Sequence, residues 1–154
     1  MGRRSIGVLV AGGLLAAVGA SCGGDEDGVA SASPAKSVYV KKANSICQKT
    51  YAQTKEKYSD FVKDRGEEAF EDPKAVEEFV DTVIIPRREQ MVEKLLGLGS
   101  PEGDERQIEE VIEAYEEGID VAGEDPELAA TSTFGVFARA NDLAQDYGLE
   151  ECNA

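Results

Sequence analysis

From Ser37 onward, apolar residues return every three or four positions in four separate runs, and this spacing limits the fold more than any other feature. Residues so spaced share one face of an α-helix, and that face must be covered. The first run carries Val40, Ala43, Cys47, Tyr51, Thr54, Tyr58 and Phe61, and Gly66 is its stop signal. The second opens at Asp72-Pro73, an N-cap followed by proline at the first helical position. Its face passes through Val76, Phe79, Val80, Val83 and Ile84 and resumes at Met91, Leu95 and Leu98. Pro86 interrupts it by removing a donor and crowding the Thr82 carbonyl, so a kinked helix is expected. The alternative is a short strand at Val83-Ile84-Ile85.

The third run begins near Asp104, carries Ile108, Val111, Ile112, Tyr115, Ile119 and Ala122, and ends at Gly123. The fourth starts at Asp125-Pro126 and carries Ala130, Phe134, Phe137, Asn141, Ala144 and Tyr147 up to Gly148. "TSTFGVF" has some strand character, but its Ala-rich flanks favour one helix. Four amphipathic helices with short connections predict an all-α domain over residues 37–154, an antiparallel four-helix bundle.

The chain ahead of this domain has another composition. Arg3 and Arg4 precede an apolar run from Ile6 to Ala20, shorter than the ~20 residues of a bilayer-spanning helix. Gly19, Ala20 and Ser21 then lead to Cys22. Residues 23–36, "GGDEDGVASASPAK", lack large apolar side chains and read as a flexible acidic tether, with an r.m.s. span of roughly 20 Å. Asp25, Glu26 and Asp27 lack the alternating ligands and distant Glu of an EF-hand loop.

The front end resembles a bacterial lipoprotein signal peptide. The resemblance implies removal of residues 1–21, diacylglycerol on the Cys22 sulfur and a membrane anchor. Gly19 stands where that family carries Leu or another aliphatic residue. The alternative is secretion after cleavage at Val18-Gly19-Ala20, with Ser21 as the first residue.

Cysteine parity bears on this choice. The chain has 3 cysteines, Cys22, Cys47 and Cys152. With lipid on Cys22, the other two can pair; with Cys22 free, an exported chain keeps an odd thiol. In an up-down-up-down bundle the end of the fourth helix returns to the start of the first, which brings Cys47 and Cys152 to one pole. A disulfide is the expectation, and two buried thiols are the alternative.

Three further stretches, "KKANSICQK", "LGLGSPEGDERQI" and "AQDYGLEEC", resemble a group of small actinobacterial lipoproteins of uncharacterised function. They share an Ala-x-x-Ile-Cys start, a Leu-x-x-Pro-x-Gly-Asp/Glu-Glu centre and a Tyr-Gly-Leu-x-x-Cys end. The likeness covers about residues 37–152, and Ala43-Asn44-Ser45-Ile46-Cys47 carries the starting motif at a spacing close to the family's looser form. It implies an exported helical domain with paired cysteines and supplies no activity or catalytic residues.

The chemistry-bearing residues exclude more than they select. The formal charge is −15, so the chain will not bind nucleic acid by neutralising phosphates, nor be drawn to anionic headgroups. It has 0 histidines, which removes Ser-His-Asp and Cys-His catalysis and His-containing zinc sites. Neither a Cys-x-x-Cys pair nor a phosphate-binding glycine loop occurs. The 31 acids offer too many pairings to single out a glycosidase-like couple. Arg87 and Arg88, beside Pro86, read either as an anion or partner contact or as ion-pair partners of the third-helix glutamates. Asn141 reads as a buried amide bonded to a tyrosine or to backbone, and the tyrosines as core-edge residues with wet hydroxyls.

The expected function is therefore a lipid-anchored extracytoplasmic domain with a binding or adaptor role at the cell envelope. It is expected to be non-enzymatic, with no cofactor or metal beyond the lipid on Cys22. Its expected partners are the membrane, through that lipid, and an envelope protein or polymer. One alternative is a carrier of a small ligand or ion, with a pocket between helices near Pro86. Another is a carboxylate-based wall hydrolase.

Overall fold

The computed structural model describes residues 33–153. The export segment 1–21, Cys22 and the tether up to residue 32 lie outside the described residues. Among those described, every regular element is helical and the architecture is all-α.

Helix α1 spans Lys36–Arg65, and a 3₁₀ turn at Glu67–Glu71 leads to α2, Pro73–Phe79. The Asp72 carboxylate caps α2 by accepting from the Lys74 amide at 3.0 Å. Helix α2 continues through a π-helical turn, Val80–Ile84, into α3, Ile85–Leu96. That turn is the form the interruption at Pro86 takes. Proline offers the Thr82 carbonyl no N–H and crowds it, and a wider turn, with the Ile85 amide donating to the Val80 carbonyl, relieves the crowding. No strand forms at Val83–Ile85.

Helix α4 spans Glu105–Glu124. The fourth segment departs from the single helix expected. It is divided into α5, Pro126–Thr131, α6, Thr133–Val136, and α7, Ala138–Tyr147. Ser132 leaves the helical region, and its hydroxyl accepts from the Gly135 amide at 3.1 Å, so a residue in mid-segment acts as a cap. The Thr131 and Thr133 hydroxyls donate to the Glu127 and Ala129 carbonyls, each at 2.7 Å, which weakens the same stretch of helix. The Phe134 side chain falls outside the described set. A 3₁₀ turn, Glu150–Cys152, closes the chain.

Side-chain contacts fix the up-down order. At one pole, Lys36 at the start of α1 pairs with Asp104 at the start of α4 (3.3 Å), and Tyr147 at the end of α7 donates to the same carboxylate at 2.7 Å. Asn44 donates to the Gly148 carbonyl at 3.2 Å and accepts from the Glu151 amide at 3.0 Å. At the other pole, Arg65 at the end of α1 pairs with Glu78 in α2 at 2.7 Å. Starts therefore meet ends, as an antiparallel four-segment bundle requires.

The Cys47–Cys152 disulfide lies at the first pole, with Cα atoms 4.9 Å apart. The core runs from Tyr39, Ala43 and Cys47 of α1, through Met91 and Leu95 of α3 and Tyr115 of α4, to Phe137, Ala144 and Leu149. Gly118 is what lets the fourth segment close on α4. A Cβ there would stand 2.7 Å from Cε1 of Phe137 and 2.9 Å from the Val136 carbonyl oxygen, closer than real Cβ contacts.

Candidate functional site

The first half of α1 and its far end are bound to the bundle, and the stretch between them is not. Tyr39, Ala43, Cys47 and Thr50 are buried, whereas Tyr51 and Tyr58, expected on the covered face, are 50% and 48% exposed. The inward line of α1 explains this. It steps through Ala43, Cys47, Thr50 and Thr54, all small, and the Thr54 hydroxyl donates to the Thr50 carbonyl at 3.0 Å instead of reaching across. Small residues on α5 and α6, Ala130 and Thr133, line the same space. Beyond it, rings fasten the far end of α1: Phe61 lies 5.1 Å from Phe79 and 5.4 Å from Phe70, and Tyr58 stacks on Phe70 at 5.4 Å. A helix held at both ends, with small side chains between, leaves a cleft of about 1020 Å³.

The lining is of three kinds. Tyr51, Tyr58, Lys55, Glu67, Glu71 and Glu127 are exposed residues at its rim. Phe70, Val76, Phe79, Ile84 and Ala130 make it largely apolar. Thr50, Arg88 and Asn141 add polar groups that are buried or half-buried. Most ligand clefts have this make-up, an apolar body with a few polar groups at fixed places.

Arg88 and Asn141 are the largest of these polar groups. The Arg88 guanidinium carbon lies 4.8 Å from the Phe137 ring centroid and 6.0 Å from that of Tyr115, over two fully buried rings. Its Nη1 also lies 3.8 Å from the Met91 sulfur. Burial lowers its pKa below the ordinary value, with the Tyr115 hydroxyl acting in the opposite sense, but arginine stays charged. Asn141 is buried as expected, its Oδ1 3.3 Å from the Tyr115 hydroxyl. That hydroxyl donates to the Cys152 carbonyl at 2.9 Å, so Asn141 is tied through Tyr115 to the disulfide end of the chain. Burial pushes the Tyr115 hydroxyl up to about 12, against the pull of Arg88.

No protein-family model matches this chain, nor does any curated protein or solved structure.

The two adjacent arginines separate in space. Arg88 lines the cleft, while Arg87 donates to Gln90 at 3.3 Å. Two glutamates of the third segment form ion pairs, Glu117 with Arg139 of α7 and Glu110 with Arg106 of its own helix at 3.7 Å. The tyrosines also divide. Tyr51 and Tyr58 are exposed at the mouth, whereas Tyr39, Tyr115 and Tyr147 are buried, which corrects the reading of all five as core-edge residues. Among the described residues no group of His, Cys, Asp and Glu is placed to hold a metal ion, and no helix is long and apolar enough to cross a membrane. The disulfide is compatible with an oxidising, extracytoplasmic location. Sequence reasoning missed Thr50, Thr54 and Thr133 as site residues. Their signal was a run of small side chains at positions where a packed helix carries large ones.

Proposed function

We propose that this domain is a carrier or receptor for a small amphipathic molecule, held at the outer face of an actinobacterial cell membrane by lipid on Cys22. The observation that carries the first part is the cleft, whose largely apolar lining also holds a buried amide and a guanidinium. Of the readings open from the sequence, this feature favours the small-ligand carrier over the adaptor. The lipid part rests on the signal-like segment ending at Cys22 and on the pairing of the other two cysteines, which leaves Cys22 as the odd thiol.

The carrier reading is tested with 8-anilinonaphthalene-1-sulfonate, an amphipathic dye that brightens in apolar clefts. The full-length chain should bind it saturably at one site. Thr54→Phe points a ring into the cleft from α1 without touching the buried core, and should abolish binding while the melting temperature holds. Equal binding by Thr54→Phe and the unaltered chain would sink the reading. Anchoring is tested by palmitate labelling in cells: the label should be present in the unaltered chain and absent in Cys22→Ser.

A further inference from the structure

We infer that the molecule this cleft takes is an organic cation, with an alkyl or aryl body on the apolar lining and an ammonium group among the threonine oxygens and rim carboxylates. The inference rests on the carrier reading and adds the ligand's charge and its hydrogen-bonding sense.

The first argument is the hydrogen-bonding character of the lining. Thr54, Thr131 and Thr133 line the cleft, and each hydroxyl already donates to a backbone carbonyl four residues earlier, that of Thr50, Glu127 and Ala129 respectively. A hydroxyl whose one proton is committed in this way offers a ligand only lone pairs. The carboxylates of Glu67, Glu71 and Glu127 are acceptors as well. These side chains ask a ligand for protons, which an ammonium group supplies and a carboxylate or sulfonate lacks.

The second argument is charge. The exposed rim carries Glu67, Glu71 and Glu127 against Lys55, on a chain whose net charge is −15. Tyr51, Tyr58 and Phe70 stand in the same lining, and the face of an aromatic ring attracts cations. Arg88 lies over the rings of Phe137 and Tyr115, and no ligand group is placed on it. A bare metal ion would leave the apolar lining wet, and among the described residues no group of acids is placed to hold one. A neutral amphiphile would fill the lining and gain nothing from the carboxylates. The preference for a cation is salt-dependent, because the rim groups are exposed.

The experiment is calorimetric titration of the full-length chain with octylammonium, octan-1-ol and octanoate at about pH 7, where the amine is protonated and the acid ionised. Octylammonium should bind about tenfold tighter than the alcohol, the size of one exposed ion pair and one ring contact together. Octanoate should bind most weakly, and raising the salt from about 20 to about 500 mM should draw the three affinities together. Thr54→Phe should abolish binding of all three; binding that survives it lies outside the cleft and overturns the inference. Glu67→Gln, Glu71→Gln and Glu127→Gln together alter only exposed side chains. They should leave the alcohol's affinity as it was and remove most of the preference for octylammonium; an undiminished preference overturns the role of the rim. Thr54→Val with Thr133→Val should weaken octylammonium more than octanoate, and an equal loss for both overturns the role of the threonines. If the anilinonaphthalene dye binds and octylammonium does not, or octanoate matches it, the inference fails while the carrier reading stands. If neither the dye nor any octyl ligand binds, the carrier reading itself fails.

Discussion

Gly118→Ala should destabilise the domain, although alanine is the better helix former. Within α4, the substitution gains about 1 kcal/mol of helix propensity. Against this, the new Cβ would lie 2.7 Å from Cε1 of Phe137 and 2.9 Å from the Val136 carbonyl oxygen. The ring cannot retreat, because Phe137 is fully buried, beside Tyr115 and under Arg88. The carbonyl belongs to backbone and cannot rotate away. Overpacking of this kind costs about 1–3 kcal/mol, and with both neighbours fixed the upper end applies, so the net loss is about 2 kcal/mol. At roughly 4 °C per kcal/mol for a domain of this size, the melting temperature should fall by about 8 °C. Gly123→Ala, in the same helix, supplies the control. Its Cβ would meet only Cδ1 of Ile85, at an ordinary 3.7 Å, so it should leave stability unchanged or raise it by up to about 1 kcal/mol. Circular dichroism at 222 nm, followed against temperature and urea, measures both. If Gly118→Ala melts at or above the unaltered chain, the close approach of the fourth segment to α4 is wrong, and so is the packing of Phe137 between α4 and Arg88.

Three other outcomes follow from the same contacts. Reducing the Cys47–Cys152 bond, which spans 105 residues, should lower stability by about 4.7 kcal/mol in the chain-entropy account, read as a lower urea midpoint in reductant or in the double Cys→Ser variant. Tyr115→Phe leaves the Cys152 carbonyl and the Asn141 amide without their shared hydroxyl and should cost about 1–3 kcal/mol; an unchanged midpoint would remove that link. The pH profile should fall at both ends. The Tyr147 hydrogen bond, with Lys36 second to it, holds the Asp104 carboxyl below its ordinary value, so its stabilisation is present above about pH 4 and is lost as pH falls through the folded-state value. Burial raises Tyr39 and Tyr115 to about 12, so from about pH 10 upward the unfolded chain gives up protons that the folded one keeps, and stability declines. Asp104→Asn should flatten the acid limb and leave in place the part of the alkaline limb that comes from Tyr39 and Tyr115.

The helices were legible in the sequence because their faces are periodic, and the pole that holds Cys47 and Cys152 was legible because an up-down order puts starts beside ends. The breaks in the fourth segment were not, because Ser132 and Thr133 choose between helix and cap by hydrogen bonds worth about 1 kcal/mol each. The cleft was hidden for another reason. Tyr51 lies on the same helical stripe as Cys47, and periodicity alone assigns both to the core. Whether a stripe is covered depends on the volume its partner brings, and here α1 and the fourth segment both bring small side chains to the same level.

The choice between Arg87 and Arg88 shows what local pattern can still decide. Extended at the α-helical period, the inward line through Val76, Val80 and Val83 would next reach Arg87. The observed inward residues after Pro86 are instead Met91 and Leu95, a line that includes Arg88. Two α-helical turns cover about 7.2 residues, and the step from Val83 to Met91 is nearly one residue longer. The π turn at Val80–Ile84 absorbs that residue. Its cause is Pro86, which makes a wide turn the cheapest way to keep one helix. The turn thus lies where the inward line through Val76, Val80 and Val83 gives way to the line of Ile84, Arg88, Met91 and Leu95, whose first two residues line the cleft.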